Sequence, residues 1–142
     1  RYSSFLEYWP QKAIDSIDYV ANYDNKIHIL SGNAIILNEN KKNGILTFDL
    51  NTVSENTTLE LPFLFYKGYV VKYKSYTSDD VSIIKCNESE HGLVQIYLNT
   101  NINGYFEVSY HATKLHKICI GISSITFISY LIYILYKKIK FC

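Results

Sequence analysis

The sequence predicts a mainly β protein, an antiparallel β-sandwich or jelly-roll-like domain followed by one C-terminal transmembrane α-helix. Two observations carry this reading. Between residues 26 and 113, apolar and polar residues alternate in short runs separated by polar turns. Further on, Ile118 to Tyr136 passes nineteen positions without a charged residue, long enough at 1.5 Å per residue to cross a hydrocarbon core of roughly 30 Å.

Residues 1–25 read as a lead-in, 26–113 as the β-rich domain and 114–142 as the span with a short basic tail. In the lead-in, Tyr2, Phe5, Leu6, Tyr8 and Trp9 precede Pro10 and suit a membrane interface or a lid over the core. Ile14, Ile17 and Val20 are spaced by three, so a short helix is expected within Lys12–Tyr23. Ile27–Leu30 and Asn33–Leu37 read as strands joined at Ser31-Gly32, and Asn38–Asn43 as a polar turn closed by Gly44. Leu46, Phe48 and Leu50 then alternate with Thr47 and Asp49, and Leu59 and Leu61 share a face. Pro62 is expected at an edge or a break. Gly68 separates Phe63–Tyr66 from Tyr69–Tyr73, and Val81–Lys85 is a short run. Alternation returns at Val94, Ile96 and Leu98, and again at Phe106, Val108 and Tyr110. Only residues 111–117 separate the last strand from the span, so the domain is expected to sit close to a bilayer.

The span is flanked by Lys114 and Lys117 on one side and by Lys137, Lys138 and Lys140 on the other. This slight lysine excess favours a cytoplasmic tail and an extracytoplasmic β-domain. Cys119, Ser123, Thr126, Tyr130 and Tyr133 follow one another by four, three, four and three positions, which sets them on one helical stripe. Ile118, Ile122, Ile125, Ile132 and Leu135 dominate the opposite side. A polar stripe in a bilayer is expected to face other helices; Ser and Thr can alternatively bond their own i−4 carbonyls.

Residues 1–117 hold all 13 carboxylates and 11 of the 14 Lys and Arg, a balance of −2, while the tail beyond Tyr136 carries +3. Without a basic stripe, nucleic acid is not an expected partner. Cys86, Cys119 and Cys142 have no disulfide-like spacing. Glu88, Glu90 and His91, with Asp79 and Asp80, are the best group for a divalent ion, but Gly92 follows directly and a solvated turn is the favoured reading. No nucleophile elbow, Cys-x-x-Cys or phosphate loop is present. No catalytic residue, cofactor or metal is therefore assigned. Asn56-Thr57-Thr58 and Asn87-Glu88-Ser89 match the N-glycosylation pattern. Tyr66, Tyr69, Tyr73 and Tyr76 are candidates for a glycan-facing surface, although aromatic residues are also good strand formers.

Three segments carry a family resemblance: Glu7-Tyr8-Trp9-Pro10, the run from Glu60 through Leu61-Pro62-Phe63-Leu64-Phe65 to Tyr69, and Val108-Ser109-Tyr110-His111-Ala112-Thr113. Together they resemble the C-terminal region of YfhO-like polytopic bacterial envelope proteins, which are similar in architecture to membrane glycosyltransferases using lipid-linked sugar donors. The resemblance implies an extracytoplasmic β-rich module, a final helix returning to the cytoplasm and a bacterial cell-membrane location. The abundance of Asn, Ile and Lys beside a single Arg fits an AT-rich bacterial genome. The implied partners are the lipid bilayer, other transmembrane helices of the parent protein or complex, and a glycan or lipid-linked sugar. The family's catalytic carboxylates belong to earlier loops, so none is carried over, and Arg1 is expected to follow a preceding transmembrane region. The competing expectation is a single-pass membrane-anchored binding or adhesion module.

Overall fold

The computed structural model describes residues 8–52, 54–111 and 113–140. Tyr2, Phe5 and Leu6 of the lead-in, Ala112 and Cys142 lie outside them. Residues up to His111 form one compact unit and those from Ala112 a second.

Among the described residues, nine strands build the first unit: β1 His28–Ser31, β2 Ala34–Lys42, β3 Ile45–Thr52, β4 Thr57–Leu64, β5 Tyr69–Ser75, β6 Val81–Ile84, β7 Cys86–Glu88, β8 Leu93–Leu98 and β9 Asn103–Tyr110. They pair antiparallel in two sheets, ordered β1-β4-β8-β7 and β2-β3-β9-β5-β6. The alternating residues do what a pleat requires. Leu46, Phe48 and Leu50 of β3, Val71 of β5, and Phe106 and Val108 of β9 point inward from the five-stranded sheet. Leu59, Leu61 and Phe63 of β4 and Val94, Ile96 and Leu98 of β8 meet them from the four-stranded sheet. Phe48 stacks on its cross-strand partner Phe106, with centroids 5.0 Å apart. The protein is thus a β-sandwich followed by an apolar helix.

Several boundaries differ from the sequence expectation. The polar run Asn38–Asn43 is not a turn up to its end. β2 continues to Lys42 across a register shift between Leu37 and Asn40, where Asn38 takes a positive φ. The reversal itself uses only Asn43-Gly44, both at positive φ, between paired Lys42 and Ile45, the residue pair favoured for a two-residue hairpin. Ser31-Gly32 joins no hairpin: β1 and β2 lie in different sheets. Pro62 does not end β4, but it does fall at a local edge and an irregularity in pairing. It lies within β4, where the pairing to β8 shifts between Leu61 and Leu64 and β1 has already ended, so its missing N–H falls outside a regular ladder. Phe63 and Leu64 accordingly belong to β4 rather than to a separate strand. The chain also changes sheet at Lys85, and the three-residue β7 is too short for alternation to reveal.

Instead of one helix, the lead-in forms two single turns, α1 Gln11–Asp15 and α2 Ile17–Ala21, divided at Ser16. They belong to the same compact unit as the sandwich. β4 is buried along seven of its eight residues, because one face lines the core and the lead-in contributes side chains over the other.

In the second unit, α3 Lys114–Lys140 is 27 residues long. Its stretch His116–Ile134 is the one candidate among the described residues that is long and apolar enough to cross a membrane, and the side chains along it are exposed in the isolated chain.

Candidate functional site

The most developed polar constellation lies on the outer face of the four-stranded sheet. Glu60 sits in β4 between Leu59 and Leu61. Those two face the core, so period-two alternation turns Glu60 the other way. Pairing continues the row: His28 opposes Glu60 from β1, Gln95 opposes it from β8, and Asn87 of β7 opposes Gln95. Polar residues across an outer face ordinarily meet water. Here the Glu60 side chain is fully buried.

The cover comes from the lead-in. The Tyr19 hydroxyl donates to Glu60 Oε2 at 2.7 Å, and the Tyr23 hydroxyl donates to the Glu60 carbonyl at 3.3 Å. His91 Nδ1 lies 3.2 Å from Glu60 Oε1. Both carboxylate oxygens therefore have a partner, as a buried charge requires. Each tyrosine also stacks on an imidazole: Tyr19 on His91 at 3.7 Å and Tyr23 on His28 at 4.3 Å, with interplanar angles of 18° and 24°. The two tyrosine rings meet edge to face at 5.7 Å. Among the described residues, no buried side-chain polar atom lacks a partner.

Local structure fixes the imidazoles. His91 belongs to the β7–β8 turn, where the buried Ser89 hydroxyl accepts the backbone N–H groups of His91 and Leu93 at 3.2 and 3.1 Å. Gly92 takes φ +74°, and a Cβ there would lie 2.4 Å from the Ala13 nitrogen. The turn and α1 thus touch through backbone. Lys12 reaches the Ser89 carbonyl at 3.4 Å and Glu88 at 3.8 Å. His28 Nε2 lies 2.8 Å from Asp24 Oδ1. That hydrogen bond, followed by one from the Lys26 backbone N–H, holds the Asp24 carboxyl below its ordinary value.

Burial, and then the bond to Glu60, pushes the Tyr19 hydroxyl up to about 12; Tyr23 is also raised, first by burial and then by the Glu60 charge. A raised tyrosine pKa means that the folded chain keeps a proton which the unfolded chain releases near pH 10. The stability linked to it is complete below pH 10 and declines as pH rises through the folded value. Thermal unfolding measured from pH 9 upward is therefore expected to show stability falling above pH 10, with a shallower fall in Tyr19→Phe.

The residues weighed as metal ligands separate. His91 turns to Glu60, Glu88 to Lys12, and Asp79 pairs with Lys74 at 2.9 Å. Among the described residues, no group of three His, Cys, Asp or Glu side chains is placed to hold a metal ion.

The four candidate tyrosines have different surroundings. Tyr69 and Tyr73 are half-buried against the core, Tyr69 packing on Phe63 and Tyr110 and Tyr73 on Phe106. Tyr66 and Tyr76 are exposed at opposite ends of β5. The Tyr66 hydroxyl donates to the Tyr8 carbonyl at 2.7 Å, and the Tyr76 hydroxyl to Asp49. Tyr76 shares a surface hollow with Tyr105 and the Lys74–Asp79 pair. Tyr105 was not singled out from sequence; its place on the polar face of β9, alternating with Phe106, was its signal.

Along α3, Cys119, Ser123, Thr126, Tyr130 and Tyr133 are exposed. The Thr126 hydroxyl bonds the Ile122 carbonyl at 2.9 Å, and Ser124, beside the stripe, bonds Ile120 likewise. Thr126 thus satisfies its hydroxyl within its own helix. Ser123, Thr126 and Tyr130 line a shallow groove with Ile122 and Phe127, so Ile122 flanks the stripe instead of lying opposite it. Cys86 and Cys119 are free thiols.

Neither the Glu60 cluster nor the tyrosines can be set beside a relative: no family model, no curated protein and no solved structure matches the chain.

Proposed function

We propose that this chain is the non-catalytic terminal module of a polytopic bacterial envelope protein, serving a membrane glycosyltransferase-like system that acts on cell-surface glycans or glycolipids. The β-sandwich stands on the extracytoplasmic side, α3 crosses the bilayer, and the lysine-rich tail lies in the cytoplasm. The observation that carries the reading is the junction: β9 ends at Tyr110 and the long apolar helix begins at Lys114. Residues with the spacing of a bilayer span follow a complete β-sandwich with almost no linker. The sequence resemblance supplies the polytopic parent and the glycan chemistry. In this reading the exposed rings of Tyr66, Tyr76 and Tyr105 are the surfaces available to a sugar, and the stripe from Cys119 to Tyr133 faces neighbouring helices.

The test uses the full-length gene product, tagged at its C-terminus, in its own membranes. It is expected to resist alkaline carbonate extraction, and protease added outside spheroplasts should digest the sandwich while sparing the tag. Extraction by carbonate, or loss of the tag from outside, refutes the anchored topology. Deleting the gene is expected to change the cell-surface glycan profile by mass spectrometry; an unchanged profile removes the glycan role. A reading frame with no further hydrophobic spans but with a signal peptide would favour a single-pass adhesion module instead.

A further inference from the structure

We infer that residues 8–25 form a strap that opens as a unit from the outer face of the four-stranded sheet, with Glu60 as its releasable fastening. The inference is independent of the glycan role.

The sandwich core is complete without the strap. Its buried apolar cluster begins at Ile27 and includes no residue from α1 or α2. Ala13 alone among residues 8–25 is buried. Both helices are single turns of five residues without a side-chain bond at the N-cap. Helices this short do not persist unaided in water, so docking holds them in shape. Detaching them leaves the inter-sheet packing intact.

The fastening is polar and reversible. In the closed state the Glu60 carboxylate gives up water and receives the Tyr19 hydroxyl and His91. In the open state it is hydrated again, which offsets the lost bonds. A carboxylate in this position makes the balance between states close, whereas an apolar residue under Tyr19 would favour the closed state throughout. Tyr19 and Tyr23 stack on imidazoles carried by the sheet rather than inserting into its core. Opening exposes Glu60, which the closed strap buries, and uncovers more of His28 and His91, which it leaves part-exposed: a carboxylate between two imidazoles.

Hydrogen–deuterium exchange of the full chain in detergent micelles tests this. The strap amides bonded within it, including Ile14, Ser16 and Val20, are expected to exchange well ahead of those in β3 and β9. Tyr19→Phe removes the hydroxyl from the strap side, and His91→Ala removes the partner from the sheet side. Each is expected to speed strap exchange about 10- to 100-fold, the worth of one hydrogen bond to a charged group, without changing rates in β3 and β9. His91 lies outside the strap, so its effect reports the fastening and not helix fraying. A single common rate for strap and core, equal acceleration of both by the variants, or unchanged strap exchange in both variants overturns the inference.

Discussion

Phe48→Ala is expected to lower the unfolding free energy by about 3–5 kcal/mol. Phe48 is fully buried and stacked on Phe106, the residue directly opposite it across the β3–β9 pair. Sheets flank the gap on both sides, and β3 is itself held between β2 and β9. The backbone therefore has little freedom to collapse into the space, and the cavity term adds to the lost transfer free energy. Phe48→Leu keeps much of the volume and should cost distinctly less. Denaturant unfolding followed by the circular dichroism of the strands measures both. A loss below about 1 kcal/mol for alanine would show that the two sheets do not pack through this pair.

The second large effect is expected from Gly92→Ala. A non-glycine residue at this positive φ costs about 1–2 kcal/mol. The new Cβ would also sit 2.4 Å from the Ala13 nitrogen and 2.7 Å from the Ala13 Cβ; such overpacking costs about 1–3 kcal/mol, or the free energy of opening the strap where that is smaller. Gly44→Ala is the control. Gly44 has φ +75°, but nothing lies within 4 Å of the added Cβ. The two variants share the backbone cost, so the difference between their melting temperatures isolates the contact between the β7–β8 turn and α1. Equal destabilisation would mean that α1 moves aside at no cost.

The sandwich was legible where one face of a strand is buried and the other wet. Leu46-Thr47-Phe48-Asp49-Leu50 and Phe106-Glu107-Val108 advertise their faces directly, because in β3 and β9 polarity and burial follow the same period. The apolar helix was legible from its length and lack of charge. β4 was harder. Its Glu60 is buried too, although alternation with Leu59 and Leu61 alone sets it on an outer face, and Pro62 reads as an edge or a break. What covers Glu60 comes from about forty residues earlier, and no local pattern encodes a contact over that separation. A clue did exist: Tyr19 and Tyr23 are four residues apart in a segment of helical spacing, which places two rings on one side. β7 was hidden by brevity. The four tyrosines from Tyr66 to Tyr76 looked like one surface because they are close in sequence, but a strand alternates its faces and Tyr69 and Tyr73 were drawn inward.

β9 lies at the centre of the five-stranded sheet, between β3 and β5, yet it is the last of the described strands in sequence order. Neither the β2-β3 hairpin nor the β5-β6 hairpin has its sheet partner until residues 103–110 have been synthesised. The sandwich is therefore completed late, and its pairings span long stretches of sequence, a topology that slows folding. When β9 emerges from the ribosome, the next segment to follow is the apolar helix. Closing the sandwich and committing that helix to its surroundings become consecutive events in time, with the hairpins half-paired until β9 arrives.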